Sequence, residues 1–257
     1  MYDRWLFSPW FLNHYEPGLV AAAPGMADVN RPEGTLSESP KGLFPIHARI
    51  HSFVEETLSI GERPVTFTGD CLAAIPALAG VQSAGRDDPW IVWVDAHGDF
   101  NTPETSPSGA LVGMPLAMMT GRGPQDYCLQ LALNPIPDER IILVDVRDLD
   151  PLEEKLVAEA ELKVISMEAL GSLQLNGPVH LHFDPDVISA QEAPGFRFPA
   201  QGGPSAGEVC RALKLFMMLN NVTSISLGGW TPRLDTSGQT ATAVRACFDA
   251  ITGQSIG

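Results

Sequence analysis

Four aspartates and a histidine fall in two short runs, Asp95-Ala96-His97-Gly98-Asp99 and Asp184-Pro185-Asp186. Carboxylates and imidazole together are donors for hard or borderline divalent cations. Each run follows an apolar stretch, IVWV or LHF, and so reads as the end of a buried strand. Residues i and i+2 of an extended chain point the same way, and a loop starting at the strand end brings a third donor round. Crowding acids where water is scarce is unfavourable, because like charges and burial both raise their pKa values. A cation removes that cost, and acids at two strand ends suit a two-metal centre in which carboxylates bridge both ions. Taken singly, each run has a plainer reading. Asp95 caps the next segment and His97 is a buried histidine satisfied by backbone, or Asp184 and Asp186 cap a helix. Two such runs in one chain favour the metal reading over both.

The elements that must position these residues form an alternating series. Apolar runs PVTFTGD, PWIVWVDAH, RIILVDV, LKVISM, VHLHFDPD and VTSISLGG are predicted as strands. Between and around them ARIHSFVEETL, LAAIPALAG, GMPLAMMTG, DYCLQLAL, PLEEKLVAEA, SAGEVCRALKLFMMLN and TATAVRACFDAI read as helices. Strands apolar on both faces and separated by helices imply an α/β fold: three αβα layers around a mostly parallel sheet. With no repeat and no linker, residues 1–257 read as a single domain. Residues 16–45, dense in Pro, Gly and Ser, are predicted to be an irregular covering segment. Acids end several strands, at Asp70, Asp95, Asp145, Asp148 and Asp184, and the crevice beyond the carboxyl ends of a parallel sheet is where ligands bind. All are expected to converge there.

Composition excludes other classes. The chain has 31 Asp+Glu against 16 Lys+Arg and a net charge of −15, which argues against nucleic acid and anionic membrane partners. No apolar run approaches the roughly 18 residues of a membrane span, and MYDRWLFSPWFLNHYEPG is not a signal peptide, so a cytoplasmic location is expected. Cys71, Cys128, Cys210 and Cys247 form no CxxC pair and read as reduced thiols.

DAHGDFNTPETSPSG (Asp95 to Gly109), VRDLDP (Val146 to Pro151), HFDPD with its following APG and GG, and TGDC (Thr68 to Cys71) resemble the ureohydrolases: arginase, agmatinase and formimidoylglutamase. The likeness extends over roughly residues 48–253. It implies an arginase-like fold holding two divalent ions, Mn2+ by family habit, and a small guanidino or amidino substrate. Asp95 and Asp184 match the bridging carboxylates, Asp99 a ligand of the first ion, and His97 and Asp186 ligands of the second. Cys71 stands where the family has a sixth ligand, histidine. A thiolate is softer than imidazole and shifts preference toward Zn, Fe or Ni.

Asn101, Ser108, Asp148 and Asp150 match positions that contact substrate or support the site. Three departures concern the substrate. The family has Asn at Ala110, a proton-shuttling His at Val112 and a guanidinium-gripping acid at Gly229. The resemblance therefore implies hydrolysis of a non-peptide C–N bond in a linear amidine or guanidine other than L-arginine, by water activated between two cations. Asp99 is the candidate for handling the proton. His182 shares a strand face with Asp184 and Asp186, so it either reaches the site as a proton donor or supports it. The alternative is a non-catalytic arginase-like protein that binds a metal or ligand and regulates. The family also implies a homo-oligomer, trimer or hexamer.

Other features read plainly. His47 and His51, at i and i+4, are expected on a helix surface. Met114, Met118 and Met119 fill core, Gly202 and Gly203 fit no nucleotide motif, and Trp230 is expected to line an apolar pocket.

Overall fold

The computed structural model describes residues 2–21 and 27–253. In chain order the elements are β1 (Asp3–Ser8), β2 (Trp10–Phe11), β3 (His14–Tyr15), α1 (Pro17–Ala21), β4 (Asp28–Val29), α2 (Pro40–Ser59), β5 (Arg63–Thr68), α3 (Ala74–Ser83) and β6 (Trp90–Val94). There follow α4 (Pro115–Met119), α5 (Gln125–Gln130), β7 (Ile141–Val144), α6 (Pro151–Glu159), β8 (Lys163–Ile165), α7 (Met167–Leu170), β9 (Pro178–Phe183), α8 (Ala206–Leu219), β10 (Asn221–Leu227) and α9 (Gln239–Thr252).

Eight strands form one sheet in the order β4-β1-β5-β10-β9-β6-β7-β8. Every neighbouring pair is parallel. The IVWV run shows why. Ile91 and Trp93 pack into one core cluster and Val92 and Val94 into the other, so β6 is apolar on both faces. The first cluster is covered by α2 to α6 and the second by α7 to α9. Burying each such side chain contributes about 1.5–3 kcal/mol, which a strand with one wet face would forfeit for half its residues. The three-layer αβα reading therefore holds. No helix among the described residues is long and apolar enough to cross a membrane.

The N-terminal part departs from expectation. Residues 3–8 are a full sheet strand, paired along their length with β5. Within 16–45, expected to be irregular, β4 pairs with β1 at the sheet edge, and α2 begins at Pro40 instead of near residue 48. Proline suits the first helical position, where its missing N–H has no partner to lose. The Ser39 hydroxyl accepts from Gly42 N at 3.2 Å and caps the helix. Pro45 forfeits one helical bond, which the buried face of Leu43, Ile46, Ile50, Phe53 and Val54 outweighs. Among the described residues, none of 16–45 lines the site cleft. That role falls to Phe11, just before it.

β9 and β10 return late in the chain to lie between β5 and β6. The carboxyl ends of β5, β6, β9 and β10 thus sit side by side, each continuing into a loop that contributes to one cleft.

Candidate metal centre

β6 ends in Asp95. Its Oδ1 accepts from His97 N at 2.7 Å, and its Oδ2 accepts from the Trp93 indole N–H at 3.2 Å. His97 Nδ1 lies 3.0 Å from Asp186 Oδ2 and 3.4 Å from Asp95 Oδ1. β9 runs directly into Asp184, whose Oδ1 accepts from Asp186 N at 2.9 Å and whose Oδ2 accepts from the Cys71 thiol at 2.9 Å. Asp99 takes a left-handed conformation, φ 50°, which turns the chain back so that its carboxyl joins the cluster. Its Oδ2 is buried without a partner. A non-glycine residue there carries roughly 1–2 kcal/mol of strain, held by Leu116 and Ala117 N–H groups bonded to its carbonyl.

The loop is anchored by a residue that spacing alone did not single out. Glu153, 3% exposed, accepts from Phe100 N at 2.8 Å and from Asp150 N at 3.2 Å. It also completes a capping box with Asp150 at the start of α6. The pattern Asp150-x-x-Glu153 before a helix was the available signal. Gly98 gives this approach room, because a Cβ there would meet the side-chain ends Leu149 Cδ2 at 2.5 Å and Glu153 Oε1 at 2.7 Å and force them to shift.

All six expected ligands, Cys71, Asp95, His97, Asp99, Asp184 and Asp186, line one cleft of about 270 Å³. Asn101, Ser108, Asp148 and Asp150 line the same cleft. Asn101 is buried and donates to Asp150 Oδ2 at 3.0 Å, while Ser108 is exposed at the mouth. Ala110, Val112 and Gly229 also face the cleft. A Cβ on Gly229 would run into the Asp184 carboxylate, so no acid fits there without moving the backbone. Phe11, Arg197 and Phe198 were not foreseen. Arg197 stacks 3.8 Å from the Phe11 ring and pairs with Glu16 at 3.1 Å, contacts between distant segments that carry no local signal.

The electrostatics are those of acids crowded without a counter-ion. Burial, then repulsion from Asp186, lifts Asp95 to about 7. Burial pushes Asp99 and Asp184 well above the carboxylate range, reinforced by Asp95 and Asp186 respectively. Burial disfavours charge on His97, but bonds to Asp186 and Asp95 outweigh it and raise it to about 12. Burial, then Asp184, raises the Cys71 thiol. A cation inverts each of these preferences. The donor set fits one on geometry too: Asp95, His97 and Asp186 present ligand atoms within 4.8 Å of one another, and so do Cys71, Asp95 and His182.

His182 itself is outside the cleft lining. It is 1% exposed and its ring stacks on Trp93 with centroids 3.6 Å apart. Burial, with His180 beside it, holds it well below the usual histidine range. Buried behind the cleft lining, it is not positioned as a proton donor to a substrate in the cleft.

Asp70 lines the cleft as expected, with its Oδ2 accepting from Leu12 N at 2.6 Å, and burial lifts it to about 6. Other expectations are corrected. Asp145 leaves the cleft altogether, with its carboxylate bonded by Arg147 and by Met167 N. His47 is 2% exposed, edge-on to Tyr127, because α2 lies against α5 as well as the sheet. His51 bonds Ser83 at 2.8 Å. Trp230 stacks on Phe67 inside the core.

The comparisons agree with this architecture. A model of the arginase family matches residues 25–252. An arginase of Staphylococcus aureus is 31% identical over 215 residues, covering 77% of this chain and 70% of that one. An arginase of Bacillus caldovelox is 30% identical over 231 residues, covering 84% and 77%. The structure superposes on an arginase from Bacillus cereus with a TM-score of 0.83 at 25% identity over the whole of both chains. Against a formimidoylglutamase from Bacillus subtilis the TM-score is 0.74 at 15% identity, covering 98% and 86%, a likeness of fold alone. With its acids gathered at the strand ends of this fold and the family model spanning nearly its full length, the chain belongs to the arginase family.

Proposed function

We propose that this protein hydrolyses a C–N bond in a linear amidine or guanidine other than L-arginine, using two divalent cations. The observation that carries the reading is a single cleft in which the acidic cluster is complete while Ala110, Val112 and Gly229 face the space a substrate would fill. Asp95 and Asp184 would bridge the ions, with Asp99 and Cys71 on one and His97 and Asp186 on the other. Mn2+ is the family's habit, and the Cys71 sulfur favours Zn, Fe or Ni. When bound, such ions lower the pKa of water and stabilise developing negative charge.

The chain's own residues do the rest. Asp99 Oδ2, buried and unpartnered, is placed to take a proton at the edge of the cluster. Asn101, clamped between Thr105 and Asp150, fixes the loop that carries Ser108 to the mouth. Asp148, bonded through its backbone to Ala96 and half-free at its carboxylate, offers an acceptor to a cationic amidine. Val112 can neither donate nor accept a proton, so the leaving group must depart without a side-chain acid at that position. The protein is proposed to act in the cytoplasm as a homo-oligomer, a reading supported by family likeness alone.

The test is to load the protein with Mn2+ or Zn2+ and offer it L-arginine beside other guanidino, amidino and formimino compounds, assaying urea, formamide and ammonia. Turnover of a compound other than arginine is expected. L-arginine as the best substrate would overturn the choice of substrate. Silence across the panel would favour the non-catalytic binder, which the same three departures also suit.

A further inference from the structure

We propose that His182 is a metal ligand, joining Cys71 and Asp95 in a buried nitrogen, sulfur and oxygen set that takes zinc in preference to manganese. The inference rests on the metal centre proposed above but not on turnover.

The first observation is an unsatisfied nitrogen. His180 and His182 both lie in β9 and both are fully buried. His180 is satisfied at each ring nitrogen, by Ser224 Oγ at 2.8 Å and Ser226 Oγ at 3.0 Å. His182 is satisfied only at Nδ1, by Ser226 Oγ at 2.8 Å, and its Nε2 has no partner. A buried polar atom left so is the exception in folded proteins and points to a missing ion or water.

The second observation assigns the proton. The Ser226 hydroxyl has one hydrogen and touches both rings. If it donates to His180 Nε2, it accepts from His182 Nδ1–H, and His180 Nδ1–H donates to Ser224. His182 Nε2 is then a bare lone pair, the form that binds a metal. If the hydroxyl donates to His182 instead, Nε2 carries a buried hydrogen with no acceptor. Fixing of the ligating nitrogen by a hydrogen bond at the other one is the usual device around metal-bound histidines.

The third observation is position. Ser226, His182 and Trp93 are in register across β10, β9 and β6. The Trp93 ring stacks on His182 while its N–H holds Asp95 Oδ2, so one side chain orients two donors. Donor atoms of Cys71, Asp95 and His182 lie within 4.8 Å of one another, all buried. Tetrahedral zinc with sulfur at about 2.3 Å and nitrogen at about 2.0 Å separates its donors by roughly 3.5 Å. A closing of roughly 1 Å, within reach of side-chain rotation, therefore brings them to one ion. Asp184 Oδ2, 2.9 Å from the Cys71 sulfur, is the fourth donor, so that with zinc bound His182 takes the place assigned above to Asp99 on this ion. The ion replaces the thiol proton, which leaves to solvent. Sulfur and imidazole together are the donors zinc takes, and manganese prefers oxygen.

The test uses the full chain loaded with one equivalent of zinc and read by X-ray absorption at the zinc edge, with Co2+ as an optical probe. The wild type is expected to show one sulfur and one imidazole on the ion, and thiolate-to-cobalt charge transfer in the near ultraviolet. His182→Phe keeps the stack on Trp93 and is expected to lower zinc affinity at this position by about 10-fold or more, leaving Mn2+ binding by His97 and Asp186 in place. Unchanged zinc binding in His182→Phe, or a wild-type spectrum with sulfur and no imidazole, would overturn the assignment. The wild-type spectrum decides the matter even if the variant fails to fold. A sulfur and imidazole signature in a protein silent on every amidine would sink the hydrolase reading alone, and turnover without that signature would sink this one alone.

Discussion

Replacing Asp184 by asparagine is expected to change stability in opposite directions with and without metal. Asp184 is buried, and its carboxyl is pushed up first by burial and then by Asp186 and Asp95. Two unit charges about 5 Å apart repel by on the order of 3 kcal/mol at an effective dielectric of about 20. Partial protonation of the cluster relieves part of this at neutral pH, leaving a gain of about 1–2 kcal/mol for the neutral amide. Asparagine keeps the acceptor for Asp186 N and presents an N–H to the Cys71 sulfur, so little else is lost. At about 2–4 °C per kcal/mol for a chain of this size, the metal-free variant melts roughly 2–8 °C above the wild type. The sign with pH follows from the raised pKa. Below it the wild-type carboxyl is already neutral in the fold, so the advantage of asparagine shrinks toward acid and grows toward alkali. With metal the order reverses. A cation at 100 times its dissociation constant stabilises the wild type by about 2.7 kcal/mol, or roughly 5–10 °C, and a variant lacking the shared carboxylate gains little. Calorimetric melts at pH 8, in chelator and in excess Mn2+ or Zn2+, measure both. A metal-free variant melting below the wild type, or equal gains on adding metal, would refute the reasoning.

Three further outcomes follow from the structure. His47 is held at about 3 by burial, against about 6.5 in an unfolded chain. The unfolded state therefore binds the extra proton and stability is lost as pH falls below 6.5. His47→Leu is expected to reduce that slope by up to about 1.4 kcal/mol per pH unit in urea titrations, and an unchanged acid limb would count against the burial. Gly98→Ala is expected to displace Glu153 and Leu149, lowering unfolding free energy by about 1–3 kcal/mol and weakening metal binding, both readable by denaturation and calorimetric titration. Cys71→His exchanges a soft donor for imidazole and is expected to shift the protein toward Mn2+ over Zn2+ in competitive dialysis; an unaltered ratio would show that the sulfur does not reach the ion.

What the sequence determined is what short-range geometry controls. Asp95 with His97, and Asp184 with Asp186, are spaced so that any strand ending there presents both donors together, and IVWV and VHLHF have no stable place except between two apolar layers. The same logic makes Asp150 and Glu153 a capping pair wherever helix α6 starts. Edge pairing of β1 and β4 was not legible, because a strand of six residues or of two is stabilised by partners found elsewhere in the chain. Nor was the fate of individual acids: Asp70 and Asp145 end strands as Asp95 does, yet Asp70 stays at the cleft wall bonded to Leu12 N while Arg147 holds Asp145 outside it. His47 looked like a surface residue until α5 covered it. Only the tertiary structure brings Cys71 against Asp184, 113 residues on, and lines up Ser226, His182 and Trp93 across three strands, leaving one imidazole nitrogen without a partner among the acids. Periodicity says which way a side chain points. Which groups meet it there depends on sheet order and register, set by the packing of the whole core.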